Sequence, residues 1–236
     1  MSGNLMNEII RKRKSIRKYD LAPLENSALD AIYAEIDKVK PLYPDIKYSI
    51  EMTSKTKGIL GVKAPHFLIF GSEEKDGSHE NIGFIGQQLD LYFSANNLGC
   101  CWLGASKPEE VMKSELPCVI AMGFGKPAEP LHRELSEFKR KALSEISEGD
   151  DPRLEAARLA PSGVNLQGWY FIADSGKMHC YLKKPNPVMG LMLGKMGRID
   201  LGIAICHIAT ESSSFTFAKE QSAPMRKGYA YMGTVS

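Results

Sequence analysis

The sequence predicts an α+β protein with a mixed or antiparallel sheet and buried central helices. Three observations lead there. Helical and extended patterns alternate irregularly, without the regular strand–helix rhythm of a parallel sheet. The run His66-Phe67-Leu68-Ile69-Phe70 is nearly continuous in apolar residues, as a strand covered on both faces would be. Residues 82–98 read as a helix that is apolar nearly all round, through Ile82, Ile85, Leu89, Leu91, Tyr92, Phe93 and Leu98, and such a helix belongs inside a core.

Taken in order, residues 5–13 carry Leu5/Ile9 and Met6/Ile10 at i,i+4 behind Asn4, a candidate cap. Extended chain follows through the basic run 13–19. Pro23 and Asn26-Ser27 announce a second helix on Leu29, Ile32, Ile36 and Val39, closed by Pro41. Strands are expected over Lys47–Met52, Pro65–Gly71 and Cys118–Gly125. The central helix 82–98 ends at Asn97-Leu98-Gly99, where glycine accepts a left-handed cap. Charges crowd 132–153, which reads as an exposed crossover. Asp151 then caps a helix opened by Pro152 and stopped by Pro161. Strands at Trp169–Ala173 and Cys180–Lys183, a Gly- and Met-rich loop, a third buried helix from Ile199 to Thr210, and strands Phe215–Lys219 and Tyr229–Val235 complete the chain. Residues 1–236 are thus expected to form a single domain of two halves, about 1–148 and 149–236, joined by the charged crossover.

Composition narrows the function. The 236 residues are 43% apolar and 25% charged, with a net charge of +2, which gives no general reason to expect nucleic acid. No apolar run approaches a membrane span, and the N-terminus lacks the apolar segment of a secretory signal. Five cysteines form no C-x-x-C pair, so reduced, mostly buried thiols in a cytoplasmic protein are expected, and no metal site. The histidines are scattered, and no P-loop, G-x-S-x-G or G-x-G-x-x-G occurs.

Two segments point to chemistry. Arg13, Ser15 and Arg17 alternate, so extended chain puts all three on one face, where guanidiniums and a hydroxyl suit a phosphate. The same run also reads as a solvated basic helix end or as a nucleic-acid patch. Asn165 and Gln167 alternate after Pro161, Ser162 and Gly163, so extended chain would aim both amides one way. Paired donors and acceptors suit the edge of a planar polar heterocycle; a helix-to-strand loop with satisfied amides is the plainer alternative. Gly99-Cys100-Cys101-Trp102-Leu103-Gly104 could bring a backbone N–H close to a ligand, or simply pack.

Over most of its length the chain resembles the nitroreductase family of flavoenzymes. Arg13–Tyr19 is similar to that family's N-terminal R-R-S-x-R phosphate motif, and helix 82–98 with Gly99–Gly104 to its central helix and G-L-G-x-x-W-x-G segment. Val119–Gly125 with Pro127 and Glu129 resembles I-A-I-G-x-P, and Arg140-Lys141-Ala142-Leu143 resembles R-K-P-L. Ala157–Trp169 resembles A-x-x-A-P-S-A-x-N-x-Q-P-W, with Gly168 where the family has proline. The order departs from the family's, because the P-S-x-x-N-x-Q segment comes late, and Arg198–Ala204 looks like a second copy of the central helix.

The resemblance implies a nitroreductase-like fold of two degenerate halves, a pseudo-dimer with one flavin mononucleotide (FMN) site, with a further homodimer possible. Arg13, Ser15, Arg17 and Arg140 would then hold the phosphate, with Lys14 on the ribityl or pyrimidine side. Pro161, Ser162, Asn165 and Gln167 would contact the ring and ribityl chain, and Leu103 and Gly104 would bring a backbone N–H near flavin N5. The implied activity is transfer of a hydride from NADH or NADPH to the flavin and onward to a small acceptor such as a nitroaromatic or quinone, with the flavin bearing the chemistry and no side chain catalytic. The alternative is an FMN-binding sensor or carrier without robust turnover. Neither a nucleic acid nor a membrane is an implied partner.

Overall fold

The computed structural model describes residues 3–58, 62–184 and 190–236. Its helices are α1 (Gly3–Ile10), α2 (Asn26–Ile36), α3 (Ser78–Ala95), α4 (Leu143–Ile146), α5 (Arg153–Leu159) and α6 (Gly190–Glu211). In the first part of the chain the strands are β1 (Tyr48–Thr53), β2 (Thr56–Gly58), β3 (His66–Ser72), β4 (Gly99–Leu103), β5 (Ser106–Pro108) and β6 (Cys118–Gly125). The second part holds β7 (Ser147–Glu148), β8 (Trp169–Asp174), β9 (Lys177–Lys183), β10 (Phe217–Ala218) and β11 (Tyr229–Val235).

The two larger sheets repeat one pattern. The first runs β1-β3-β6-β4, with α3 between β3 and β4 in sequence; the second runs β8-β9-β11-β10, with α6 between β9 and β10. Pairing is antiparallel throughout both, and only β7 adds to the edge of β8 in parallel. The α+β expectation with a mixed sheet therefore holds. β2 and β5 form a small separate ribbon that the sequence did not announce.

α3 and α6 cross at the centre, and glycine lets them do so. A Cβ on Gly83 would lie 2.1 Å from the Ile199 carbonyl oxygen, and one on Gly202 would lie 2.0 Å from that of Glu80. The two notches mirror one another, each glycine facing the backbone three residues before the other. The crossing is sealed by one continuous core drawn from both sheets, including Phe70, Ile85, Phe124, Trp169, Phe171, Leu201 and Ile205.

Several boundaries move. α1 begins at Gly3, so Asn4 lies inside it rather than capping it. α2 ends at Ile36, ahead of Pro41. The expected Gly- and Met-rich loop is largely helix, since α6 starts at Gly190; its residues 185–189 lie outside the described residues. The charged crossover is not wholly exposed: Ile146 is buried and β7 joins the second sheet. The helix opens at Arg153 with Pro152, not Asp151, at its cap position; Asp151 stands one residue further out, where its Oδ1 still accepts the Arg153 N–H at 2.9 Å. Four cysteines are buried and Cys118 is exposed. Among the described residues no helix is long and apolar enough to cross a membrane, and no cluster fit to hold a metal is found.

Candidate functional site

The basic run is extended, and backbone pairing holds it against the first sheet. The Ile16 N–H donates to the Cys100 carbonyl at 2.9 Å, and the buried Tyr19 hydroxyl donates to the Ile16 and Gly123 carbonyls. Ile16 and Tyr19 face inward, which leaves Ser15 and Arg17 on the outer face. Glu129 accepts the backbone N–H groups of Arg17 and Lys18 at 2.7 and 3.2 Å and stands 3.7 Å from the Lys14 ammonium. Those backbone bonds hold its carboxyl below the usual range.

Opposite this run, α5 ends at Leu159 and delivers Pro161 and Ser162 from the second half. Between the two segments lie contiguous cavities of about 620 and 540 Å³, which share Ser15, Arg17, Pro161, Ser162 and Val164. The first continues over Trp102, Leu103, Ile199 and Ile203 and is mainly apolar; its rim includes Ala105 and Ser106 of the small ribbon. The second is cationic: Arg13, Lys14, Arg17, Arg133, Lys139 and Arg140 surround it, against the carboxylates of Glu129 and Glu137. Crowding is felt there. Burial, and then repulsion from Arg133, Arg13 and Arg158, pull the Arg140 guanidinium down to about 9. Burial and the neighbouring Arg13 bring Arg133 to about 10. An anion between them would relieve both.

The anticipated residues do not all stand free. Arg13 is 1% exposed, and its Nε lies 3.0 Å from Asp90 on α3, so its charge is spent inside the protein; Nη2 reaches the Ser15 hydroxyl at 3.3 Å. Arg17, by contrast, is exposed, and its side chain has no ion-pair partner among the described residues. Arg140 donates to the Asn165 amide oxygen at 2.6 Å and to the Leu159 carbonyl at 3.2 Å.

The expectation of extended chain at Asn165 and Gln167 is corrected. Residues 163–165 form a 3-10 turn, and Val164, Asn165 and Gln167 have φ of 47, 58 and 49°. The left-handed region is costly for a β-branched residue such as Val164, by about 1–3 kcal/mol, and such strain concentrates at functional sites. The two amides therefore do not point together. The buried Gln167 accepts the Lys141 N–H at 2.9 Å and donates to the Asn165 carbonyl, while Asn165 Nδ2 donates to the Lys139 carbonyl at 2.7 Å. They tie the crossover to the loop, and Asn165 alone of the two reaches the cavity wall. Leu103 lines the first cavity; Gly104 is exposed beside it and is not among the lining residues.

Sequence reasoning missed Asp200. It lies on α6 in the wall of the first cavity, 4% exposed, and its Oδ1 accepts the Gly163 N–H at 2.9 Å. Burial pushes its carboxyl from 3.8 up to about 7. The folded state thus holds this proton more tightly than the unfolded chain does. The associated stability is complete below pH 3.8 and is lost as pH rises through about 7. With about 1.4 kcal/mol per pKa unit, Asp200→Asn is expected to remove a loss of roughly 4 kcal/mol that the unaltered protein shows between pH 4 and 9. Urea denaturation of both proteins across that range checks it; parallel pH curves would contradict it.

A family model described as "Putative TM nitroreductase" matches residues 5–212. Among solved structures, the chain is similar over 100% of its length to 92% of a "putative nitroreductase" from Thermotoga maritima MSB8, at 21% identity and a TM-score of 0.66, which shows a shared fold. It also aligns over 61% of its length with 97% of a "Putative NADH dehydrogenase/NAD(P)H nitroreductase" from Bacteroides thetaiotaomicron (16% identity, TM-score 0.46). An "FMN-dependent Nitroreductase" from Clostridium difficile R20291 aligns over 56% of this chain and 93% of its own (16% identity, TM-score 0.42). No curated protein sequence matches the chain.

Proposed function

The chain belongs to the nitroreductase family, and from that premise we propose that it is an FMN-dependent oxidoreductase that takes a hydride from NADH or NADPH and reduces a small acceptor of the nitroaromatic or quinone class. The observation that carries this reading is the two-part cavity between the halves. One end is apolar and faced by Trp102; the other holds six basic side chains against two carboxylates. That pairing suits a flat heterocycle carrying a phosphate tail, and the lowered Arg140 and Arg133 guanidiniums mark where the anion is wanted.

In this reading Ser15, Arg17 and Arg140 hold the phosphate, with Lys14 beside them. Pro161, Ser162 and Asn165 border the ribityl chain and ring, and the Leu103–Gly104 backbone lies at the ring end. Arg13 contributes indirectly, its buried guanidinium steadying the Ser15 hydroxyl. When bound, FMN supplies reversible two-electron chemistry. The protein's part is to orient the ring, to exclude water from the apolar end, and to set fixed cations where negative charge develops.

One cofactor per chain is also proposed. Asn81 Oδ1 accepts the Tyr43 N–H at 3.0 Å just as Asp200 Oδ1 accepts that of Gly163, so Leu42 and Tyr43 occupy, in the first half, the place of Ser162 and Gly163. Leu42 is buried there and Tyr43 packs edge-on against Phe217 at 5.8 Å, which fills the equivalent space.

Absorbance of the purified protein and of its heat-released supernatant tests both points. One FMN per chain, bleached on the native protein by NADH or NADPH, is expected. Two per chain would refute the single site; flavin that neither nicotinamide bleaches would indicate binding without turnover; no flavin, retained or added, would remove the reading. Arg17→Ala is expected to weaken FMN binding by about tenfold to a hundredfold, the worth of one charged hydrogen bond, without altering thermal stability. Fluorescence titration of the flavin reads it.

A further inference from the structure

The residue that cofactor holding leaves unexplained is Asp200. The internal repeat supplies a control for it. Asn81 and Asp200 hold matching places on α3 and α6, and each accepts one loop N–H, at 3.0 and 2.9 Å. In the first half an amide oxygen suffices at a fully buried position. A carboxyl at the same depth costs more to bury than an amide, so anchoring the loop does not account for it. What the carboxyl adds is a second, titratable oxygen. Asp200 Oδ2 is shielded from solvent and has no hydrogen-bond partner among the described residues.

The surroundings leave this group alone in its role. Asp200 lines the apolar cavity with Trp102, Leu103 and Ser162. Among the described residues the other ionisable groups lining it are the Arg17 guanidinium and Cys101, whose thiol burial pushes above its usual range. From the helices that pack there, Arg198 of α6 is committed to Asp76 and to Glu80 of α3, at 2.8 and 2.9 Å. His79 opens α3 on the side lined by Lys195 and Arg198, away from this cavity.

We propose that Asp200 is the proton donor of the cavity, giving its carboxyl proton to an acceptor reduced there; this rests on the oxidoreductase reading above. A quinone becomes a hydroquinone by taking a hydride, with its two electrons, and one proton. The hydride comes from the nicotinamide donor. The proton comes from Asp200: the carboxyl turns its shielded Oδ2 toward the seated acceptor, its O–H bond breaks as an O–H bond forms on the acceptor oxygen, and water reprotonates the carboxylate once the reduced acceptor has left. A carboxyl raised to about 7 by burial still holds its proton near neutrality, as a donor must.

Asp200→Asn keeps an acceptor for the Gly163 N–H, as Asn81 does, so fold and FMN retention are expected to survive. Anaerobic stopped flow then separates the two half-reactions. Bleaching by NADH or NADPH is expected to be unchanged. Re-oxidation by 1,4-benzoquinone is expected to slow by about a hundredfold and to lose the fall through pH about 7 shown by the unaltered protein, with Asp200→Glu restoring a pH dependence. Independently of activity, the carboxylic-acid C=O band in the infrared should titrate near pH 7 and be absent from Asp200→Asn. Retained FMN with re-oxidation at the unaltered rate and pH profile overturns the donor alone, as does a carboxyl already ionised at pH 5. If the asparagine variant does not fold, Asp200→Glu assigns the band instead: a band that keeps its frequency and its titration in that variant belongs to another buried carboxyl, such as Asp90 or Glu80, and overturns the donor. A protein that binds no flavin at all overturns the functional reading and the donor with it.

Discussion

Arg13→Met is expected to destabilise the protein by about 3–5 kcal/mol, the cost of stranding one member of a buried ion pair. Arg13 and Asp90 are 1% and 2% exposed, so removing the guanidinium leaves a carboxylate without water or partner charge. Gln87 Nε2 still donates to Asp90 at 2.9 Å, but one amide bond does not replace a cation. Burial already raises the Asp90 carboxyl and Arg13 opposes that rise, so in the variant Asp90 binds a proton still more readily in the folded state. The deficit should therefore shrink as pH falls and widen as it rises. Replacing both residues, as in Arg13→Met with Asp90→Leu, should recover much of the loss, because an apolar pair of similar volume needs no compensation. Urea denaturation midpoints for the single and double variants decide it, and an unchanged midpoint for Arg13→Met would refute the buried-pair account. Flavin lost from Arg13→Met then reports the damaged fold together with the loosened Ser15 hydroxyl, whereas flavin lost from Arg17→Ala reports the contact itself.

Gly83→Ala and Gly202→Ala are each expected to cost about 2–3 kcal/mol, although alanine has the higher helix propensity by about 1 kcal/mol. The added methyl would lie 2.1 or 2.0 Å from a backbone carbonyl, which cannot swing aside as a side-chain tip can. The helices must separate, and α6 carries Ile199, Asp200 and Ile203 of the cavity wall with it. A loss of that size in a chain of 236 residues lowers the melting temperature by about 5–10 °C. Because both methyls wedge the same crossing, the double variant should lose less than the two single losses combined. Calorimetry on the three variants checks both sign and coupling; stabilisation by either alanine would show that the crossing relaxes freely.

The elements most readable from the sequence were those whose pattern is set by depth alone. β3 and most of β6 are continuous buried runs and α3 is apolar nearly all round, so burial announces them before any partner is known. α6 was read short because Gly190, Gly194 and Gly197 argue against helix locally, and packing against α3 outweighs that cost. The site divides the same way. That Ser15 and Arg17 share a face follows from alternation. That Arg13 turns inward depends on Asp90 in a distant helix, which no spacing rule contains. The amides of Asn165 and Gln167 were placed on extended chain because nothing in Gly-Val-Asn-Leu-Gln signals three left-handed residues; tertiary bonds to Lys139, Arg140 and Lys141 impose them. Asp200 lay within the second copy of the central helix, where its neighbours made it look structural; Asn81 makes the matching loop contact, and it is the cavity beside Asp200 that sets the two apart.

The paired glycine notches join two helices of one polypeptide, and this changes what dilution can do. Two separate subunits crossing through such a contact would part as concentration fell, and their melting temperature would climb with protein added. Here the tether from α3 to α6 makes the encounter unimolecular, with an effective concentration set by the linking chain rather than by the cell. The contact between these two helices, and the cavity wall that α6 carries, therefore do not depend on how much of the protein is present.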